Sequence, residues 1–454
     1  MSDLDPGRRE EASSRRSRVA SLAGTTVANF AVGVLGFAGS VMSTRLLGPS
    51  GRGDLAIIQT IPTLTGIVAM LGMPDAAVYR VAAEREHSKT IVTTAALVCS
   101  AASLVIGTVL FFLAPLVTSD ETAHLVSAFR VYLLLLLVVG VYWTLTQPLR
   151  AVDRYVAWNV TRVAQTASWT FVVGLGTVFG WRTAQRLTTA HLVVLALLLP
   201  CAILLARRAY QGRAAFSLPL ARGMLRFGVP TALSSIPQLA NYRLDQAVLL
   251  FFVTRSELGV YATAFGWSYI TTPVLQTIGA VCLPRLASTV DTSLKRDELA
   301  RVVRIGFGAT IVVAGGGAAV TPLLVPFIFG SSFGPFVGVF AVMVLAMSVN
   351  GLNYILEEST KGMNRPRTVL YAEIGGLVAL GIFFPVMTTH FRIMGAAVTS
   401  CLTYCAVTVS LLVSIRRHER IPLRRLLTPR IADVRSFIAG LPAAPERFIH
   451  NTAG

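Results

Sequence analysis

Charge is scarce in this chain. Only 14% of its 454 residues are charged while 54% are hydrophobic, against about 25% and 45–50% in soluble domains, and the mean hydropathy is +0.65. That balance excludes an ordinary soluble fold, and with it collagen and intrinsic disorder. Cysteine is equally sparse. Cys99, Cys201, Cys282, Cys401 and Cys405 all fall inside apolar stretches, and no pair has zinc-ligand or exported-disulfide spacing, so they read as small buried hydrophobes. The six histidines are scattered without metal spacing, and no G-x-x-x-x-G-K phosphate loop occurs. The string GSSFG at 330–334 matches a nucleophile elbow in form only, because that device needs a strand, a sharp turn and a helix, and here it joins two apolar segments. Neither a metal site nor a catalytic residue is expected.

Apolar length is what the sequence has in abundance. A bilayer-crossing helix needs about 20 mostly apolar residues. Twelve stretches qualify: 22–43, 55–79, 90–113, 125–147, 156–179, 188–206, 227–252, 259–283, 305–328, 335–356, 368–388 and 393–415. The expected fold is therefore an all-α polytopic membrane protein of about 12 transmembrane helices. Pro62, Pro230, Pro237 and Pro326 interrupt several of them, which implies kinked helices whose freed backbone groups are satisfied by neighbours. The N-terminal RRSR imitates a signal peptide or a twin-arginine address, but 22–43 is too long for an h-region and lacks a cleavage site. It reads as an uncleaved first span.

A net charge of +18 would by itself suit a nucleic-acid binder, yet such a protein has no need of this much apolar surface. Position resolves the conflict. With the N-terminus inside, 31 of the 40 basic residues fall on cytoplasmic segments, while only Arg45, Arg52, Arg182, Arg186, Arg255 and Arg392 fall outside and Arg130, Arg162 and Arg243 lie within helices. This positive-inside alternation places both termini in the cytoplasm. The basic excess is topology, and no nucleic-acid partner is called for. The tail RRHERIPLRRLLTPRIADVR suits either a place on an anionic inner leaflet or simple solvation.

The outer loops are short and offer only Asp54, Asp120, Glu121 and Glu257 as acids, which argues against a membrane glycosyltransferase or polymerase. An internal repeat is also visible. RLLGPSGRGDLA (45–56) with PDAAVYRVA (74–82) recurs as TRSELGVYA (254–262) with LPRLA (283–287), so that Gly53 matches Gly259 and Arg80 matches Arg285. An even number of spans per copy makes the repeat parallel. The expected segments are a basic cytoplasmic N-terminus (1–21), an N-terminal six-helix lobe (22–206), a cytoplasmic linker (207–226), a C-terminal six-helix lobe (227–415) and a basic cytoplasmic tail (416–454).

The motifs RLLGPSGRGDLAI, LGMPDAAVYRVA, RFGVPTALSSIPQLANYRLDQAVL, ELGVYATA, LPRLAS, PFIFGSSFGPF and GMNRPR, in this order from about residue 19 to 415, resemble the polysaccharide exporter family. These are the Wzx-type oligosaccharide flippases of the multidrug/oligosaccharidyl-lipid/polysaccharide superfamily. The resemblance implies two six-helix lobes around a central cavity that opens alternately to each side of a bacterial cytoplasmic membrane. It also implies a cargo of undecaprenyl-pyrophosphate-linked oligosaccharide, with membrane lipids, a polysaccharide polymerase and glycosyltransferases as partners. A cation-coupled multidrug exporter of the same superfamily and a lipid II flippase are the alternatives. No cofactor is implied beyond coupling to a proton gradient, a sodium gradient or the membrane potential.

Charged side chains at helix depth cost roughly 2.5 kcal/mol or more and so face the bundle interior. At about 1.5 Å per residue, Arg243, Asp245 and Arg130 lie about 14, 10 and 8 Å from the outer ends of their spans, and Arg162 and Glu373 about 9 Å from the inner ends of theirs. Arg243, Arg130 and Arg162 are the expected cargo contacts, since a guanidinium fork matches pyrophosphate. Asp245, Glu373, Glu357 and Glu358 are the expected gating or ion-coupling groups. For Glu357, Glu358 and Lys361 a solvated i,i+3 or i,i+4 pair competes with that role. Gln238, Tyr242 and Asp245 follow the i, i+4, i+7 stripe of one polar face. Asn29, Asn350 and Asn353 read as interhelical glue.

Overall fold

The computed structural model describes residues 6–118, 123–288 and 291–428. The tail beyond 428, the outer-loop acids Asp120 and Glu121, and the side chains of the arginines before residue 19, of Tyr242, of Cys282 and of Arg285 lie outside the described residues.

Among the described residues the regular elements are all helical. They are α1 (Pro6–Ala69), α2 (Met73–Ala83), α3 (Ser88–Thr118), α4 (Ala123–Tyr132), α5 (Leu134–Thr146), α6 (Tyr155–Val178), α7 (Ala184–Ala209), α8 (Leu218–Leu249), α9 (Arg255–Ser268), α10 (Thr272–Ser288), α11 (Thr292–Phe329), α12 (Val337–Gly362), α13 (Pro366–Glu419) and α14 (Leu423–Leu427). Two of them are each a pair of arms. α1 turns at Gly48 (φ 66°, ψ −176°), and α13 turns at Arg392 (φ 50°, ψ −130°). Gly48 takes the left-handed region without a Cβ penalty, and Pro49 then starts the second arm with its φ already preset.

Seven helical runs are long and apolar enough to cross a membrane among the described residues. α6 and α8 are not among those seven. They carry Asn159, Arg162 and Gln165, and Asn241, Arg243, Asp245 and Gln246, respectively. Those polar side chains belong inside a bundle, away from hydrocarbon, although the same helices also expose Val156, Phe171 and Leu233. The outward faces of the others are apolar, with Phe112 72%, Leu116 73% and Phe327 77% exposed, as expected where lipid is the solvent. This explains one correction. Of the described cysteines only Cys99 is buried, while Cys201 is exposed and Cys401 and Cys405 are intermediate. An apolar stretch in a membrane chain has a lipid-facing side, so apolar context does not imply burial in protein.

The chain forms two compact units, Met1–Gly266 with Val325–Pro335, and Trp267–Leu324 with Phe336–Gly454. In the first, α1 lies along α6, where Gly39 leaves room for the indole of Trp169 and Thr170 donates to the Leu35 carbonyl at 2.7 Å. Met73, Ala76, Ala77, Val81, Ile91 and Ala95 pack one core in this unit. Two close backbone approaches join α8 and α9 to α1 and α2. A Cβ on Gly259 would strike the Pro49 carbonyl and the Gly53 nitrogen, and one on Gly53 would strike the Arg255 carbonyl. Likewise Gly72, at φ 67°, and Gly228 meet backbone to backbone. The glycines that mark the repeat thus touch each other.

In the second unit α12 packs between α10 and α13 over a core that includes Leu299, Val303, Leu356, Val407 and Leu411. The start of the basic tail is docked here. Leu426 of α14 is 0% exposed, Arg425 pairs with Asp297 at 2.9 Å, and Arg304 donates to the Arg425 carbonyl at 2.9 Å. Glu419 lies 3.6 Å from both Arg296 and Arg365. Asp291 accepts from the Ser293 N–H and hydroxyl, both at 2.7 Å, and these bonds hold its carboxyl below the usual carboxylate range at the start of α11.

Candidate functional site

The sequence-predicted residues divide into two basic clusters and one acidic pair, with Arg130 apart. The inner cluster is built on α6 and the turn before it. Arg162 donates to Asn29 Oδ1 at 2.8 Å, and its guanidinium lies 4.7 Å from the Trp158 ring centre. Arg150 reaches the same indole at 5.5 Å and Asp75 at 3.5 Å, and its Nε has no hydrogen-bond partner. Two guanidinium groups therefore flank one aromatic face, with donor capacity left over.

The outer cluster joins α8 and α9 to the second arm of α1. Arg243 lies 4.7 Å from the Phe265 ring centre and donates to Gln246 Oε1 at 3.4 Å. It also interacts electrostatically with Arg52, whose Nε is buried and has no hydrogen-bond partner. Two like charges that feel each other in a low dielectric favour an anion nearby. Asp245, 1% exposed, accepts from the Tyr261 hydroxyl and from the Gln246 N–H at 2.7 Å. Of the Gln238, Tyr242 and Asp245 stripe on α8, Gln238 is exposed and Asp245 buried.

In the second unit the acids separate by role. Glu357 (2% exposed) and Glu373 (6%) are hydrogen-bonded to each other. Two carboxylates so placed repel each other, which sets this pair apart from a solvated surface contact. Glu358 instead pairs with Lys361 at 2.8 Å, an i,i+3 surface-type contact, with Glu357 3.9 Å from the same ammonium. Asn353 donates to the Tyr404 carbonyl at 2.9 Å, as interhelical glue does.

Arg130 is brought to neither basic cluster. Its Nε donates to the Phe111 carbonyl at 3.1 Å and its guanidinium lies 4.5 Å from the Phe111 ring centre. Pro115 of α3 has no N–H, which leaves that carbonyl without its helical donor, and Arg130 supplies one. Arg130→Ala is expected to lower stability by about 1–3 kcal/mol through the orphaned carbonyl, and Pro115→Ala in the same chain is expected to restore the loss, both read as thermal midpoints in detergent.

Sequence reasoning missed Arg52, Arg150, Trp158, Phe265 and Tyr261. Arg52 was assigned to an outer loop by hydropathy, but Gly48-Pro49 is a hinge two residues long that restarts the helix at once. Pro immediately after Gly was the available signal.

Residues 42–338, more than half of the chain, match the family model for polysaccharide biosynthesis proteins. The chain belongs to that family. Its relatives are transporters rather than enzymes. A probable low-salt glycan biosynthesis flippase, Agl15 of Haloferax volcanii, is 21% identical over 391 residues, covering 84% of this chain and 80% of that one. The lipid II flippase MurJ in an inward closed conformation superimposes with a TM-score of 0.73 at 13% identity, over 91% of each chain. An outward-facing multidrug resistance MATE transporter of the MOP superfamily does so at 0.55 and 15% identity, over 86% of this chain and 95% of that one. The family member described here thus has the fold of this transporter group and is a multi-pass membrane protein.

Proposed function

We propose that this protein is a flippase that carries an undecaprenyl-pyrophosphate-linked oligosaccharide from the inner to the outer leaflet of the bacterial cytoplasmic membrane, by alternating access, for cell-surface polysaccharide assembly. The observation that carries the reading is the pair of basic clusters, Arg150 and Arg162 against the Trp158 ring and Arg243, coupled to Arg52, against the Phe265 ring. Guanidinium forks suit a pyrophosphate, and aromatic faces suit sugar rings. Passing the polar head over such groups while the polyprenyl tail stays in lipid avoids stripping it of all partners in hydrocarbon. The similarity to a probable low-salt glycan biosynthesis flippase supports the same class of cargo.

In this reading Arg243 and Arg162 contact cargo together with Arg52 and Arg150. Asp245 gates, and the Glu357–Glu373 pair holds a coupling ion, proton or sodium. The division into lobes at 22–206 and 227–415, the cytoplasmic placement of 1–21, 207–226 and 416–454, and cooperation with a polymerase and glycosyltransferases belong to the same proposal. An exporter of organic cations would need acids where this chain places arginines. In a strain lacking the gene, undecaprenyl-linked repeat units are expected to accumulate on the inner leaflet. Unchanged glycan export with lost dye resistance would overturn the flippase reading.

A further inference from the structure

One half-buried titratable group is used by neither basic cluster nor by the acidic pair. His191 sits on α7 about 10 Å from its outer end at 1.5 Å per residue, at the same depth as a hydrogen-bonded row across the first unit. Gln59 Nε2 of the second arm of α1 donates to the Tyr132 hydroxyl of α4 at 3.3 Å, and that hydroxyl lies 3.2 Å from His191 Nδ1. On the other side Trp169 of α6 meets the imidazole edge-on, ring centres 5.1 Å apart at 74°. The same indole abuts Gly39 in the first arm of α1. Tyr132 is 3% exposed and His191 is half-buried.

The row can run in either direction. In one, the Tyr132 hydroxyl accepts from Gln59 and gives its one hydrogen to His191 Nδ1. The imidazole is then neutral, with its hydrogen on Nε2. A second proton on Nδ1 forces the reverse. The imidazolium donates to Tyr132, Tyr132 donates to Gln59, and the Gln59 amide turns over to present Oε1. Apart from the turn of that amide, the row needs no rearrangement, so it has two directions set by one proton.

No carboxylate faces the imidazole among the described residues. From α4 it meets Tyr132, from α6 Trp169 and from α1 Gln59 through Tyr132. Tyr142 of α5 donates instead to the Thr161 carbonyl at 2.7 Å, Arg162 of α6 is taken by Asn29, Arg130 of α4 by Phe111, and Arg45 of α1 by the Phe327 and Ile328 carbonyls. Among the described residues an imidazolium here meets no counter-charge, and it is favoured when water reaches it. Proton occupancy then differs between open and closed states, which is the condition for coupling.

We propose that His191 is a proton-binding site that couples the outward proton activity to α1. Gln59 and Gly39 lie on either side of the Gly48 hinge, and Gln59 is seven residues from Arg52 on the same arm, on the same helix face. A reversed row thus bears on both the hinge and the outer basic cluster. The coupling part rests on the flippase reading, with the proton moving inward as glycan moves outward. The protonation part stands without it.

The test uses the full chain in nanodiscs and in proteoliposomes. Imidazolium in contact with an indole quenches its fluorescence, so intrinsic emission is expected to show a transition on acidification that is lost in both His191→Gln and Trp169→Phe. In proteoliposomes loaded with a fluorescent undecaprenyl-pyrophosphate oligosaccharide, an outside-acid gradient is expected to speed wild-type flipping, and His191→Gln to lose that acceleration at least tenfold. Tyr132→Phe keeps the imidazole and is expected to retain the fluorescence transition while losing the gradient response. An unchanged transition in His191→Gln overturns the site, and an intact gradient response in Tyr132→Phe overturns its transmission through the row. Absence of flipping by the wild type in every gradient, with the transition still present, would count against the flippase reading and uphold His191 as a proton site.

Discussion

Arg243→Ala is expected to slow flipping about 10- to 100-fold while insertion and thermal stability are retained. A hydrogen bond to a charged group contributes roughly 1.5–3 kcal/mol, and each 1.4 kcal/mol is about tenfold. Arg243 rests on Phe265 and Gln246, so its removal empties a cationic position without breaking a core of large side chains. Arg52→Ala is expected to fall in the same range, because its buried Nε is unbonded and directed at no protein acceptor. The double variant is expected to lose less than the two losses combined, since both arginines act on one anion and the first removal already forfeits part of what the second supplies. Arg243→Lys keeps the charge but not the planar fork, and intermediate rates are expected. Initial rates in proteoliposomes decide the matter, with the exposed Arg182→Ala as the control. Wild-type rates in both single variants would return Arg243 and Arg52 to an architectural role.

How far the sequence carried this site depends on which physical signal each residue leaves. Long apolar runs and the positions of arginine are one-dimensional signals, and the helices fall where those runs lie, from α3 through α13. Arg243, Asp245 and Glu373 were visible for the same reason, as charges inside such runs. What escaped is pairing between distant segments. Nothing local to Arg52 shows that it is opposed to Arg243, and nothing local to Tyr261 shows that its hydroxyl serves Asp245. Arg130 illustrates the converse. It carries the same signature as Arg162, a lone charge within a span, yet it serves a carbonyl freed by Pro115 on another helix. Reading the proline as a missing donor, rather than as a kink alone, would have separated the two. The exposed Cys201 shows that hydropathy distinguishes water from apolar surroundings but not lipid from protein.

Gly259→Val is expected to hold the α1–α9 contact open and to reduce flipping at least tenfold. The atoms that a Cβ would meet are the Pro49 carbonyl and the Gly53 nitrogen, both backbone, so no rotamer change can relieve the clash and the two helices must separate. Shifting a two-state equilibrium from 1:99 to 99:1 takes about 5.5 kcal/mol, within reach of a forced backbone separation together with the packing it forfeits. Thr44, 0% exposed with its hydroxyl 3.4 Å from that of Thr263, lies on the same pair of elements. A cysteine placed by Thr44→Cys is therefore expected to resist a membrane-impermeant maleimide applied from outside in the parent chain and to react once Gly259→Val is added. Gly53→Val is expected to act in the same way through the Arg255 carbonyl, whereas Gly24→Val, with nothing within 4 Å of its added Cβ, is expected to leave the labelling unchanged. Gly228→Val strikes the Leu71 and Gly72 backbone at the other glycine contact and is expected to leave Thr44→Cys protected while still slowing transport. If Thr44→Cys stays protected in Gly259→Val, the contact between Gly53 and Gly259 is packing alone and does not control access to the outer basic cluster. If it reacts there and not in Gly228→Val, the two contacts close different ends of the path, and the absence of a side chain at each is what lets them close.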